Sequence, residues 1–94
     1  MSDVDTTEKL QAARDAVERD AWVEAYELYA PVAESVDLGA EDLEQMATAA
    51  WWSGHFDLCV EARERADRLF TGAQDNRGAA RVALDLAIDY RHQL

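Results

Sequence analysis

The sequence predicts an all-α fold, and three observations predict it. Apolar residues recur at three- and four-residue steps along most of the chain, and runs that alternate apolar with polar residues are absent. Glycine (4) and proline (1) are scarce among 94 residues that are 49% hydrophobic, alanine contributing much of that share. At this length folding buries roughly 60–70% of the surface of the unfolded chain, enough for one modest core, so residues 1–94 make a single domain.

Asp5 followed three residues later by Glu8 has the pattern of a capping box and opens a first helix over 6–18, with Leu10, Ala13, Ala16 and Val17 on its apolar face. Residues 1–4 are expected to fray. In a second helix over 21–36, Trp22, Ala25, Tyr26, Tyr29, Val32, Ala33 and Val36 share one face. Pro31 brings no N–H to this helix and is expected to bend or divide it near residues 27–30. The chain then breaks at Asp37-Leu38-Gly39. A third helix over 40–53 carries Leu43, Met46, Ala47, Ala50 and the pair Trp51-Trp52, and Gly54 suits a left-handed cap. A fourth over 57–71 shows Cys59, Ala62, Arg63, Ala66, Leu69 and Phe70 at helical spacing and stops at Gly72. Asn76 caps a fifth, which runs to about residue 92.

The formal charge of −11, from 20 acids and 9 bases, repels a phosphate backbone, which argues against nucleic acid and anionic membrane surfaces as partners. The acids are interspersed with apolar residues, as on a solvated surface that would attract basic partners. No apolar stretch approaches the length of a membrane span, Cys59 has no second cysteine to pair with, and no charged-then-apolar leader is seen. A cytoplasmic location is the expectation.

Compared with itself at a shift of 34 residues, the chain aligns Arg19-Asp20-Ala21-Trp22-Val23-Glu24-Ala25-Tyr26 with Ser53-Gly54-His55-Phe56-Asp57-Leu58-Cys59-Val60. Each segment has a polar turn, an aromatic (Trp22, Phe56) and, three residues on, a small residue (Ala25, Cys59). The small residues let the second helix approach the first closely, and the aromatics fill the wedge beside the turn. The pattern resembles the tetratricopeptide repeat, a pair of antiparallel helices of period 34. The resemblance implies units over 6–39 and 40–73 and a half unit over 74–94, that is, a short superhelix of about five helices and two and a half repeats. The second unit matches better. It has Leu43 where the family has a tryptophan and Thr71 where it has a proline, and the first unit has Asp20 at the turn glycine. A non-repetitive five-helix bundle is the alternative. A narrower resemblance, through Glu41-Asp42-Leu43-Glu44, Ala49-Ala50-Trp51-Trp52-Ser53-Gly54, Ala62-Arg63-Glu64-Arg65-Ala66 and Ala79-Ala80-Arg81-Val82-Ala83-Leu84, is to helical repeat regions of LuxR-type regulators and class III nucleotide cyclases. It implies a sensor or regulatory role.

Chemistry is sparse. His55 and Cys59 stand four apart, but two ligands do not close a zinc site, and Cys59 falls where the repeat wants a small buried side chain. Asp89 and His92 read as help for a helix terminus rather than as an acid–base pair. Acidic pairs such as Glu41-Asp42 and Glu61 with Glu64 carry no sign of a pocket, and there is no phosphate loop or nucleophile elbow. No enzyme activity, metal or cofactor is expected, with a small ligand-binding or enzymatic helical bundle as the alternative. The expected work is binding a protein or peptide partner, basic or apolar. By the family resemblance the first helix of each unit lines a groove, which places Glu44, Thr48, Trp51 and Trp52 there with Leu10, Arg14, Val17 and Glu18; the Lys and Asn that grip a peptide carboxylate in some members are missing. Trp51 is expected as the groove contact and Trp52 at its boundary; the alternative, from their helical spacing, is that at least one ring is covered by the neighbouring helices as core. Finally, Val82, Ala83, Leu84, Leu86, Ala87 and Ile88 leave only Asp85 polar in their span, so Val82, Leu84, Leu86 and Ile88 are expected to pair with another chain as a homodimer.

Overall fold

A computed structural model describes residues 3–73 and 76–93. Among them the chain forms five helices and no strand: α1 (Asp3–Glu18), α2 (Trp22–Ser35), α3 (Ala40–Trp52), α4 (Phe56–Gly72) and α5 (Asn76–Gln93). Each helix packs mainly on its neighbours in sequence, and α1 also touches α3. The stack measures 37 × 29 × 22 Å.

The first expectation to fall is the capping box. Helix α1 starts at Asp3, so Asp5 lies inside it and forms an i,i+4 ion pair with Lys9 (3.6 Å) instead of capping. An acid near a helix start is stabilising in either role, through the macrodipole as well as through a cap. Pro31 does not divide α2, which runs unbroken to Ser35. Both Pro31 and Glu27, whose carbonyl loses its helical donor, are exposed, so water can take up the freed acceptor. The roles read for Asn76 as a cap and for His92 beside Asp89 rest on side chains outside the described residues.

The two helical hairpins end their first helices in the same way. Gly54 is left-handed (φ 83°), with Gly54 N–H donating to Trp51 O (3.1 Å) and His55 N–H to Ala50 O (2.8 Å). Thirty-four positions earlier Asp20 is left-handed (φ 58°), with Asp20 N–H donating to Val17 O (3.0 Å) and Ala21 N–H to Ala16 O (2.9 Å). Both are Schellman caps, which absorb the last helical carbonyls and turn the chain back on itself. Between α2 and α3, Leu38 is buried although it sits in a connection. It precedes the N-cap Gly39 and joins the same core cluster as Leu43, the arrangement of a hydrophobic staple.

The core is built from small residues around a few large ones. Tyr29, Leu43, Val82 and Cys59 are the largest fully buried side chains, surrounded by Ala13, Ala47, Ala50, Ala62 and Ala66. A second cluster has Ala16, Ala25 and Ala49 as its buried residues, one each from α1, α2 and α3, with Val17, Trp22, Tyr26 and Leu28 packed against them; such small side chains allow close helix approach. Cys59 and Ala25, aligned in sequence, are both fully buried. Leu69 and Val36, read as core from periodicity, are exposed; Leu69 lies on the outer flank of α4, and at Val36 the backbone is already extended.

Candidate interaction site

The expected groove residues fall into two groups. Toward α1, Arg14 donates twice to Asp42 on α3 (Nε to Oδ1 3.0 Å, Nη2 to Oδ2 2.7 Å), and Tyr29 on α2 donates its hydroxyl to Asp42 Oδ1 (2.9 Å). The Arg14 hydrogen bond holds the Asp42 carboxyl below the usual carboxylate range, against the opposing effect of its burial. Burial, then the Asp42 contact, raises the Tyr29 phenol. Asp42 therefore joins three helices. Val17 is half-buried against the core and Glu18 is exposed at the end of α1.

Toward α5, the structure gathers the remainder. Glu44 accepts two hydrogen bonds from Arg81 (Nε 2.8 Å, Nη2 2.6 Å), and Arg81 lies over the Phe70 ring at 5.8 Å. Thr48, Trp51 and Trp52 line an open hollow of about 300 Å³ together with Arg63, Asp85, Ile88 and Asp89. Of the two tryptophans, Trp52 carries the open ring, at 64% exposure, whereas Trp51 is half-buried with Phe56 edge-on at 5.2 Å. Trp51 therefore faces the hollow as a partly covered wall, and the more available surface belongs to Trp52, the reverse of the emphasis drawn from sequence.

Helix α5 splits the four residues expected to pair between chains. Val82 (0% exposed) and Leu86 (8%) belong to the core, because one side of α5 must cover α4. Leu84 (65%) and Ile88 (52%), four residues apart, stand on the open side with the exposed Ala80, Ala83 and Ala87 around them. Trp52 and Ile88 share the hollow, and Leu84 stands one helical turn from Ile88 on α5, so the three form an apolar strip across α3 and α5.

Beside the strip lies a polar cluster centred on Arg63, whose place on the periodic face of α4 does not reveal its partners. Arg63 is 7% exposed; its Nη1 is 3.4 Å from Asp85 Oδ2, its Nη2 donates to Thr48 Oγ1 (3.3 Å), and its Nε lies 3.2 Å from Asp89 Oδ2 but out of line for a hydrogen bond. The Cys59 thiol donates to Asp89 Oδ2 (3.4 Å), and burial is the main cause that pushes its pKa up to about 12. The cluster ties α3, α4 and α5 together and lines the hollow through Thr48, Arg63, Asp85 and Asp89. His55 points elsewhere, stacking on Tyr26 with ring centroids 4.3 Å apart. His55 and Cys59, four apart in sequence, thus serve different helix contacts. No family model matches the chain, and neither a curated protein nor a solved structure matches it.

Proposed function

We propose that the chain is a non-catalytic, tetratricopeptide-like interaction module of the cytoplasm that holds the apolar face of a partner helix, a second copy of itself included. The observation that carries this reading is the strip of Trp52, Leu84 and Ile88, three large apolar side chains each more than half exposed on adjoining helices. Single exposed apolar residues are ordinary on a protein surface; a contiguous set with an aromatic anchor is the composition of a contact core. The hydrogen-bonded pairs Arg14–Asp42 and Arg81–Glu44 support the same reading, because they brace the helices that present the strip. The hollow under it is open to solvent, a shape suited to a docked side chain rather than to an enclosed reaction.

Tryptophan emission followed against protein concentration tests the self-associating form. As Trp52 is covered, the emission should move to shorter wavelength, and Leu84→Ser with Ile88→Ser should abolish the movement while leaving helicity intact. Emission that stays constant while the protein becomes oligomeric would place the contact elsewhere and overturn the reading.

A further inference from the structure

A second apolar feature lies away from the strip, between α2, α3 and α4. It is a groove of about 220 Å³ whose floor is Met46, Ala50 and Ala62 and whose sides are Tyr26 and Leu58. Small-molecule sites run to about 300–1,000 Å³, so this volume suits one or two inserted side chains of a docking helix. The stack of His55 on Tyr26 fixes one wall in advance, and Met46 supplies an adaptable floor. Two acids, Glu34 and Glu61, stand at the rim against one base, Arg65, and Glu27 extends the acidic edge one helical stripe along α2.

Charge is divided unevenly along the chain. Residues 1–44 hold 13 acids and 3 bases, a net of −10, whereas residues 45–94 hold 7 acids and 6 bases, a net of −1. Within the second half, α5 carries Arg77, Arg81 and Arg91 against Asp85 and Asp89, both of which face Arg63. Arg77, Arg81, Leu84, Ile88 and Arg91 follow one another at three- and four-residue steps and are all exposed. One molecule thus presents a basic-flanked apolar stripe at one place and an acid-rimmed apolar groove at another.

The geometry points to head-to-tail self-association, in which the α5 stripe of one copy docks in the α2–α4 groove of the next, Leu84 and Ile88 entering the groove and Arg77 and Arg91 meeting Glu34 and Glu61, while Arg81 stays with Glu44 of its own chain. This rests on the proposed role of the strip and adds the surface that receives it. Unlike surfaces meet, so the contact is heterologous and does not close at a dimer unless a ring forms. Pairing one α5 stripe with another would instead set like arginine-flanked surfaces face to face.

Complementation by two variants provides the test, read by sedimentation and light scattering with circular dichroism as the folding control. The strip variant Leu84→Ser/Ile88→Ser and the groove variant Glu34→Lys/Glu61→Lys alter exposed residues only. Wild type should exceed twice 10.5 kDa as concentration rises. Each variant alone should require at least tenfold more protein to associate. Their equimolar mixture should form a species of two chains and stop, since only one intact stripe and one intact groove remain. A groove variant that associates like wild type, with a strip variant that does not, would overturn the head-to-tail contact and leave the strip's role standing. Failure of both variants to weaken association would overturn the two together. Leu58→Asp, which alters the groove wall without reversing an acid, should reproduce the groove variant; normal association would count against the groove.

Discussion

Gly54 and Asp20 occupy equivalent turns with different chemistry, and the difference is measurable. A Cβ at Gly54 meets nothing within 4 Å, so the cost of Gly54→Ala comes from its left-handed backbone alone, about 1–2 kcal/mol. Asp20 already bears part of that strain, moderated because aspartate tolerates the left-handed region better than most residues. Asp20→Gly should therefore stabilise, by about 0.5 kcal/mol once the added freedom of the unfolded chain is subtracted. Urea unfolding should move the midpoint down for the first variant and up for the second, with the slope unchanged in both. A lower midpoint for Asp20→Gly would show that the aspartate makes a compensating contact in the turn.

At the scale of elements, the α4–α5 interface is where polar chemistry is most deeply embedded, and Cys59 reports on it. The unfolded thiol ionises near pH 9, whereas the folded one is held to about 12, so folding favours the protonated form. That contribution is complete below pH 9 and is lost as pH rises toward 12, at about 1.4 kcal/mol per pH unit. Between pH 9 and 10, where the phenol ionisations are common to both proteins and the unfolded thiol goes from half to mostly ionised, Cys59→Ala should flatten the decline in stability by about 1 kcal/mol, whatever it does to stability at neutral pH. Equal slopes for wild type and variant would mean that the thiol is solvated in the folded protein. This interface also separates what is legible in sequence from what is not. Helix number, the Gly54 cap, the 34-residue correspondence and the buried small pair Ala25 and Cys59 all follow from spacing and local backbone chemistry. Leu38 was legible in principle, as the apolar residue before an N-cap with Leu43 four residues into the helix. Arg63 was legible as a member of the periodic face of α4, but its partners Asp85 and Asp89 were not, because they lie more than twenty positions away on another helix. Val82 and Leu86 could not be told from Leu84 and Ile88 either: an α5 apolar over most of its circumference does not say which side α4 covers.

For the whole molecule, the net of −10 on residues 1–44 opposes the fold that carries it. Six of those acids are exposed on α1 and α2, where Glu24, Glu27 and Glu34 succeed one another along one helix with no base between them. Like charges three or four residues apart cost about 0.2–0.5 kcal/mol each, and salt relieves them by shortening the screening length from about 10 Å at 0.1 M to about 3 Å at 1 M. Thermal stability should therefore rise with sodium chloride over that range, by several degrees for a domain of this size. Glu27→Lys places a base between Glu24 and Glu34 and should do part of the same work in low salt, raising stability by about 0.5 kcal/mol and shrinking the further gain from salt. The control is sucrose, which favours compact states without screening charge and should stabilise the wild type and Glu27→Lys equally. If salt stabilised both proteins by the same amount, its action would lie in hydrophobic burial rather than in the acidic half of the chain.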